Sequence, residues 1–343
     1  MNTLRLSAYL AVCLSLSVNG LAATTSHKYV YATDVTNNFV AVIDQSTNKF
    51  VGLVKVSSPY GIAVDPQRHE LYVSNWNSAS VTVVSTVTNR ALGTIKVGNS
   101  PEGVAVTPNG EFVYVANYDD ATVSVIETAT NSVVDTIGVD DFPSQPAMSP
   151  NGKQIYVACS SGNVGEVDVI DTASNTVVDS IPDSPTDPVS SAVSPNGRFV
   201  YAATEDLDIS VIDTASRQIV HTISLGCSSC QPAETMAFSP TGNRAYAMMQ
   251  FGELGVIDTS NYHLDHVIRF DSTELFNPVG MAITYDCADK TDSQKWRAYV
   301  ASGGEGRSTP AAVEVIDLAT NRVIDQIKLG AGVPQGIAVT PCN

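Results

Sequence analysis

The 343-residue sequence predicts an all-β protein, a seven-bladed β-propeller of four-stranded antiparallel blades whose C-terminal strand completes blade 1. Three observations carry that expectation. A pattern of forty-odd residues recurs seven times, each copy holds four short runs of alternating apolar and polar residues, and the pattern is out of phase at the two ends of the chain. Fixed-period self-similarity means stacked or radial repeats.

The tyrosine of a Tyr-Val-Ala-Asn element marks the repeat at Tyr31, Tyr72, Tyr114, Tyr156, Tyr201, Tyr246 and Tyr299. In the copy running from Pro101 to Ile137 the four runs are Gly103 to Thr107, Phe112 to Asn117, Thr122 to Glu127 and Val133 to Ile137. Period-two alternation over this length predicts half-buried strands, here called A to D. Between A and B stands Pro-Asn-Gly, at Pro108, Pro150 and Pro195, whose proline sets φ and whose Asn-Gly tolerates positive φ. Between C and D stand Asn48, Asn89, Asn131, Asn175 and Asn321, turn residues for a similar reason. Such short links leave no room for crossover helices, so each repeat is an antiparallel meander.

The phase of the ends predicts closure. The first repeat opens on a B strand (Lys28 to Thr33), and the last run, Gly336 to Thr340, is an A strand. A ring closed by pairing the two ends removes exposed sheet edges.

The Tyr-Val-Ala-Asn element and the Val-Ile-Asp-Thr-Ala-Thr-Asn-like elements, Val-Ile-Glu-Thr-Ala-Thr-Asn from Val125 and Val-Ile-Asp-Thr-Ala-Ser-Asn from Val169, resemble the YVTN family of β-propeller repeats, over essentially the whole chain after residue 28. The resemblance implies the propeller fold and an exported or surface-layer-like setting. It implies no particular activity, since one fold hosts many.

Residues 1–23 read as a secretory signal: Arg5, an apolar stretch from Leu6 to Val18, then small residues before the cut. The stretch falls short of the ~20 apolar residues of a membrane span. The expectation is therefore a single propeller over residues 24–343, exported to the periplasm, the medium or the cell surface without membrane insertion. The formal charge is −17, and it becomes −18 once Arg5 leaves with the signal. Such acidity disfavours a nucleic-acid partner, whose phosphates need lysine and arginine.

Five cysteines follow the signal. Cys287 and Cys342 fall at the same end of the A strands of blades 7 and 1, neighbours only if the ring closes, and a disulfide between them is expected in an oxidising compartment. Cys227 and Cys230, spaced Cys-Ser-Ser-Cys between blades 5 and 6, are expected to form a small local disulfide, since further metal ligands and a thioredoxin-like setting are both missing. Cys159 is left as a buried free thiol.

In a propeller the D-to-A and B-to-C loops share one face, and strand A lines the channel. The residue before the start of strand A is Tyr60, Glu102, Ser144, Val189, Glu234, Val279 and Gln335 in successive blades. Glu102 and Glu234 would face each other across the mouth and could hold calcium or a cationic group. Beyond the B strands, Asn75-Trp76-Asn77 and Asn117-Tyr118-Asp119-Asp120 stand out. Tyr60, Trp76, Glu102, Tyr118, Asp119, Glu234 and Gln335 are thus the candidate ligand-binding residues, an aromatic and polar set suited to an amphipathic partner. Packing of Trp76 and Tyr118 between blades is the alternative. His263 and His266, three apart on strand D of blade 6, are expected on opposite faces.

No histidine falls on an A strand or on these rings, and no nucleophile-elbow, zinc-protease or P-loop motif occurs. The leading expectation is a binding scaffold for a protein, peptide or glycan, with no catalytic residues and no cofactor beyond a calcium ion at the mouth. Two rivals are a lactonase- or lyase-type enzyme with a metal at Glu102 and Glu234, and a propeller subunit like that of the quinoprotein amine dehydrogenases.

Overall fold

The computed structural model describes residues 28–160, 165–183, 187–206, 208–226, 235–249, 252–270, 280–285, 295–303 and 310–340. The predicted signal, Glu234, Cys227, Cys230, Cys287 and Cys342 lie outside them. The described residues form seven four-stranded sheets, each an antiparallel meander. In blade 3 the strands are Pro101–Val106, Phe112–Asn117, Thr122–Glu127 and Ser132–Gly138. Blade 1 is completed as its phase predicts: Pro334–Val339 pairs antiparallel with Tyr29–Asp34, followed by Phe39–Asp44 and Lys49–Lys55. No helix among the described residues is long and apolar enough to cross a membrane.

Apolar side chains fill the space between blades. The closing interface joins Tyr299, Ala301, Val313 and Val315 of blade 7 to Val30, Ala32, Ala41 and Ile43 of blade 1, all nearly or fully buried. Equivalent clusters occupy the other six interfaces. The two signature residues of the repeat meet in these interfaces. Tyr31 donates its phenol to Asn89 Oδ1 (2.8 Å), Tyr72 to Asn131 (3.3 Å), Tyr114 to Asn175 (2.8 Å) and Tyr299 to Asn48 (2.9 Å). In each pair the asparagine belongs to the following blade and stands at a left-handed turn, φ 51° to 52°. Asparagine tolerates that conformation and also supplies the acceptor a buried phenol needs. One residue type thus serves the turn and the seam.

Two irregularities escape a strict alternation pattern. Strand A begins two residues earlier than expected, at Pro59, Pro101, Pro143, Pro188 and Pro334, and register shifts at its start (Pro101 pairs with Asn117, but Val104 with Val115). Tyr60, Glu102, Ser144 and Gln335 therefore sit in β-bulges, which bend a strand and re-aim its side chains. The second irregularity is an extra residue in every outer strand: Val51, Leu92, Val134, Val178, Val220, Asp265 and Ile324 in blades 1 to 7. The six apolar ones are 43–58 % exposed. A bulge on an edge strand breaks the flat ladder that another chain could pair with. In blade 6 this bulge lies between His263 and His266, which pair with Asp258 and Val256, so both histidines fall on the same side of the sheet and not on opposite sides.

Candidate functional site

The mouth is built from the inner-strand bulges and the loops after strand B. Hydroxyls of preceding blades pin the bulged backbone. Thr33 Oγ1 donates to the Tyr60 carbonyl (2.8 Å) and Ser74 Oγ to the Glu102 carbonyl, while Gly61 N donates to Ser74 Oγ (2.8 Å). Side chains at Tyr60 and Glu102 thus leave from fixed points.

After strand B, Trp76–Ser78 and Tyr118–Asp120 each form a single 3-10 turn, ended by Ala79 (φ 45°) and Ala121 (φ 51°). Asn75 and Asn117 are buried and bind within their own blades, Asn75 to Ser80 and Thr82, Asn117 to Thr122 and Ser124. Their role is to clamp the turn. The backbone N–H of Trp76 donates to Ser58 O (3.0 Å), and that of Tyr118 to Ser100 O (3.1 Å).

These anchors align four aromatic rings across three blades. Tyr60 and Trp76 have centroids 5.1 Å apart, Trp76 and Tyr118 5.5 Å, and Tyr118 and Phe142 5.0 Å, with interplanar angles of 34° to 45°. Trp76 and Tyr118 are half-buried, and Phe142 is 42 % exposed. The two loop aromatics pack on each other across the blade boundary and still present surface. Phe142 holds φ 52°, where Ser58 and Ser100 stand in the preceding blades (φ 47° and 48°). A bulky residue in that region is strained, and such strain concentrates at functional positions.

Beside the ladder is a cavity of about 230 Å³. Tyr60, Glu102, Tyr118 and Gln335 line it as the sequence places them, joined by Phe142, Ser144, Gln145, Ser160, Val189 and Glu205. Asp119 does not reach it. Its carboxylate accepts from Ser100 Oγ and faces a separate open groove, shared with Trp76, Asn77, Asn99 and Asp120. There Asp120 accepts from Asn99 N (2.7 Å) and Asn99 Nδ2 (2.9 Å). The opposition of Glu102 and Glu234 involves a residue outside the described ones. The second carboxylate brought to the cavity of Glu102 is Glu205, from the blade 5 loop. Glu205 follows Thr204 as Trp76 follows Asn75 and Tyr118 follows Asn117, so extending the repeat alignment one residue past strand B would have exposed it. Burial, and then the nearby charges of Glu102, Asp119 and Glu205, push the Tyr118 phenol up. The mouth is therefore aromatic and negative.

A second acidic group lies in blade 4, where carboxylate oxygens of Asp140, Glu166 and Asp168 gather within 4.8 Å. Oxygens so placed suit a hard cation in kind. Asp168, however, already accepts from Ser180 Oγ and from the Asp140 backbone N–H (3.0 Å). Cys159 is free and buried, its Sγ 3.8 Å from Asp168 Oδ2. Burial first, and the Asp168 and Asp140 charges next, push its thiol well above the usual range. Thiolate is the reactive form, so Cys159 is expected to resist alkylation in the folded protein at pH 8 and to label on unfolding. Peptide mapping by mass spectrometry checks this, and rapid native labelling at Cys159 would contradict it.

A family model described as "Lactonase, 7-bladed beta-propeller" matches residues 40–139, from strand C of blade 1 through blade 3. No curated protein matches the chain significantly. Among solved structures, the chain is similar to hydrazine synthase of Kuenenia stuttgartiensis (24 % identity, 83 % of this chain and 92 % of that one, TM-score 0.69). It is also similar to a functionally unknown protein from Desulfotomaculum acetoxidans DSM 771 (15 % identity, 92 % and 99 %, TM-score 0.72). A third is the dihydro-heme d1 dehydrogenase NirN in complex with DHE (15 % identity, 91 % and 75 %, TM-score 0.60). At these identities the structural likeness speaks for the fold alone. The fold is an all-β seven-bladed propeller, similar over its first three blades to those of lactonase type.

Proposed function

We propose that the chain is an exported binding propeller that recognises a protein, peptide or glycan on the loop face of blades 2 to 4. The observation that carries this reading is the row Tyr60, Trp76, Tyr118 and Phe142, held on anchored turns beside a concave mouth. Amphipathic rings pre-positioned at low entropic cost are what interface hot spots use. Trp76→Ala is expected to cost a bound partner about 2 kcal/mol or more, some thirtyfold in affinity, while circular dichroism and thermal unfolding stay close to wild type, because Trp76 lies in a loop. Peptide and glycan arrays probed with wild type and Trp76→Ala make the measurement. Arrays that read alike for both proteins, or collapse of the fold in the variant, would return Trp76 to packing.

The family likeness over residues 40–139 favours a second reading, a lactonase-type hydrolase using Glu102 and further mouth oxygens around a divalent ion. Lactone hydrolysis that requires an added divalent ion and is lost in Glu102→Gln would select it over the scaffold.

A further inference from the structure

We propose that the mouth cavity takes the guanidinium group of an arginine side chain on a peptide or protein partner; this deepens the binding reading and rests on it. Four features of the cavity lead there. Its lining brings two carboxylates, Glu102 and Glu205, to an aromatic wall of Tyr60, Tyr118 and Phe142. The whole chain carries −17, and the charges that act on the Tyr118 phenol in this wall, those of Glu102, Asp119 and Glu205, are negative. Its volume of about 230 Å³ is below the ~300–1,000 Å³ of pockets that enclose a whole small-molecule ligand, so it suits one side chain of something larger. Finally, Trp76, packed between Tyr60 and Tyr118 of that wall, also lines the open groove at Asn77, Asn99 and Asp120, a path for the segment that carries the side chain.

The chemistry of the walls selects the ligand group. Tilted rings present negative π faces, which attract a cation positioned over them. A planar guanidinium stacks on a ring face while its N–H donors reach carboxylates, and it sheds water more readily than an ammonium does. A neutral sugar could use the rings but would bring no cationic donor to the two carboxylates. An anion would be repelled by them. The elevated phenol of Tyr118, beside Glu102, Asp119 and Glu205, agrees with a negative potential at the rings.

The test uses the full-length purified protein and capped Gly-Arg-Gly, its citrulline counterpart, capped Gly-Lys-Gly and free argininamide. Calorimetry gives affinities. Trp76 fluorescence gives location, since the only other tryptophan, Trp296, is buried in the core between blades 6 and 7. The arginine tripeptide is expected to bind saturably, more weakly as salt rises, with the citrulline peptide about tenfold or more weaker, as loss of a charge-assisted hydrogen bond implies. The lysine peptide is expected to fall between them. Glu102→Gln and Glu205→Gln should each lower arginine affinity and shrink the arginine–citrulline gap, with unchanged thermal unfolding as the folding control. Equal binding of arginine and citrulline peptides would overturn the cation assignment while leaving the binding platform standing. No arginine binding at millimolar concentration would overturn it too. Argininamide binding as tightly as the tripeptide would assign the site to a free small cation and overturn the peptide partner. Arginine binding indifferent to Trp76→Ala would instead count against the platform of the parent reading.

Discussion

The propeller is expected to keep its fold to about pH 10 and to unfold cooperatively above it. Its seven repeat tyrosines are all fully or almost fully buried. Burial, the largest cause at every one of them, raises their phenols: Tyr114, Tyr246 and Tyr299 to about 12, and Tyr31, Tyr72, Tyr156 and Tyr201 upward as well, against an ordinary value of 10.0. An acid whose folded value is raised keeps its proton longer in the folded state. Its stabilising contribution is complete below pH 10 and is lost as pH climbs through 12, because the unfolded chain releases the proton first. A two-unit elevation corresponds to roughly 3 kcal/mol for each such residue, and folded domains hold only about 5–15 kcal/mol in all. A few of these phenols are enough to tip the balance. Tyrosinate absorbance and far-ultraviolet circular dichroism recorded together should change in one transition. Gradual ionisation of the repeat tyrosines near pH 10 with the circular dichroism intact would show that their burial does not control stability.

The same tyrosines explain why the architecture was legible in the sequence. Tyr72 and Asn131, or Tyr114 and Asn175, are about sixty residues apart, yet the geometry of one blade against the next brings each pair into contact. Repetition of that contact writes the period into the chain. Where the turn residue changes, the contact goes: blade 5 has Arg217 at its left-handed turn, and Tyr156 of blade 4 donates instead to Gln154 (2.9 Å) in its own strand. Strand order, turn positions and the closing strand all follow from patterns of this kind.

The site was legible only in part, for the same physical reason. Tyr60, Glu102 and Gln335 fall at equivalent positions in successive blades, so alignment alone brings them to the mouth. Phe142 and Glu205 occupy repeat positions too, but their residue types depart from those of their counterparts, serine at Ser58 and Ser100 and an aromatic at Trp76 and Tyr118, so the repeat pattern does not single them out. Phe142 stands where two earlier blades have serine, and its ring extends the ladder only because a left-handed backbone aims it there. The inner-strand bulges are hidden as well, since an inserted residue in an apolar run such as Gly103 to Val106 leaves the composition unchanged. The outer-strand bulges hide in doublets such as Val133-Val134, where both residues look equally fit for a strand, both stay exposed, and only Val133 has a cross-strand partner, Ile126. The expected bond between Cys287 and Cys342 and the cysteines of Cys227-Ser-Ser-Cys230 lie outside the described residues.

Gly103→Ala is expected to lower stability sharply, and Gly93→Ala, in the same fold, is expected not to. Gly103 belongs to the innermost strand of blade 3, where the strands converge on the axis. A Cβ there would lie 2.5 Å from the Gln145 Cα and 2.6 Å from the Pro146 Cδ of blade 4, distances that real methyl groups do not occupy. Neither neighbour can swing aside, since one is backbone and the other a proline ring tied to it. The strand must therefore shift, and overpacking of this kind costs roughly 1–3 kcal/mol, a fall of several degrees in Tm for a domain of this size. Gly93 lies in the outer strand of blade 2, with nothing within 4 Å of its would-be Cβ. Alanine there restricts the unfolded chain without a clash, so its effect should be neutral or stabilising by up to ~1 kcal/mol. The inner substitution also bears on function. Gln145 lines the mouth, so a displaced Gln145 should weaken ligand binding by more than the lost stability explains at temperatures where the variant is fully folded. Thermal unfolding of both variants, with binding measured well below their midpoints, separates the two effects. Equal midpoints for Gly103→Ala and Gly93→Ala would mean that the inner strands are free to part, and that the mouth is not the rigid frame on which its rings and carboxylates depend.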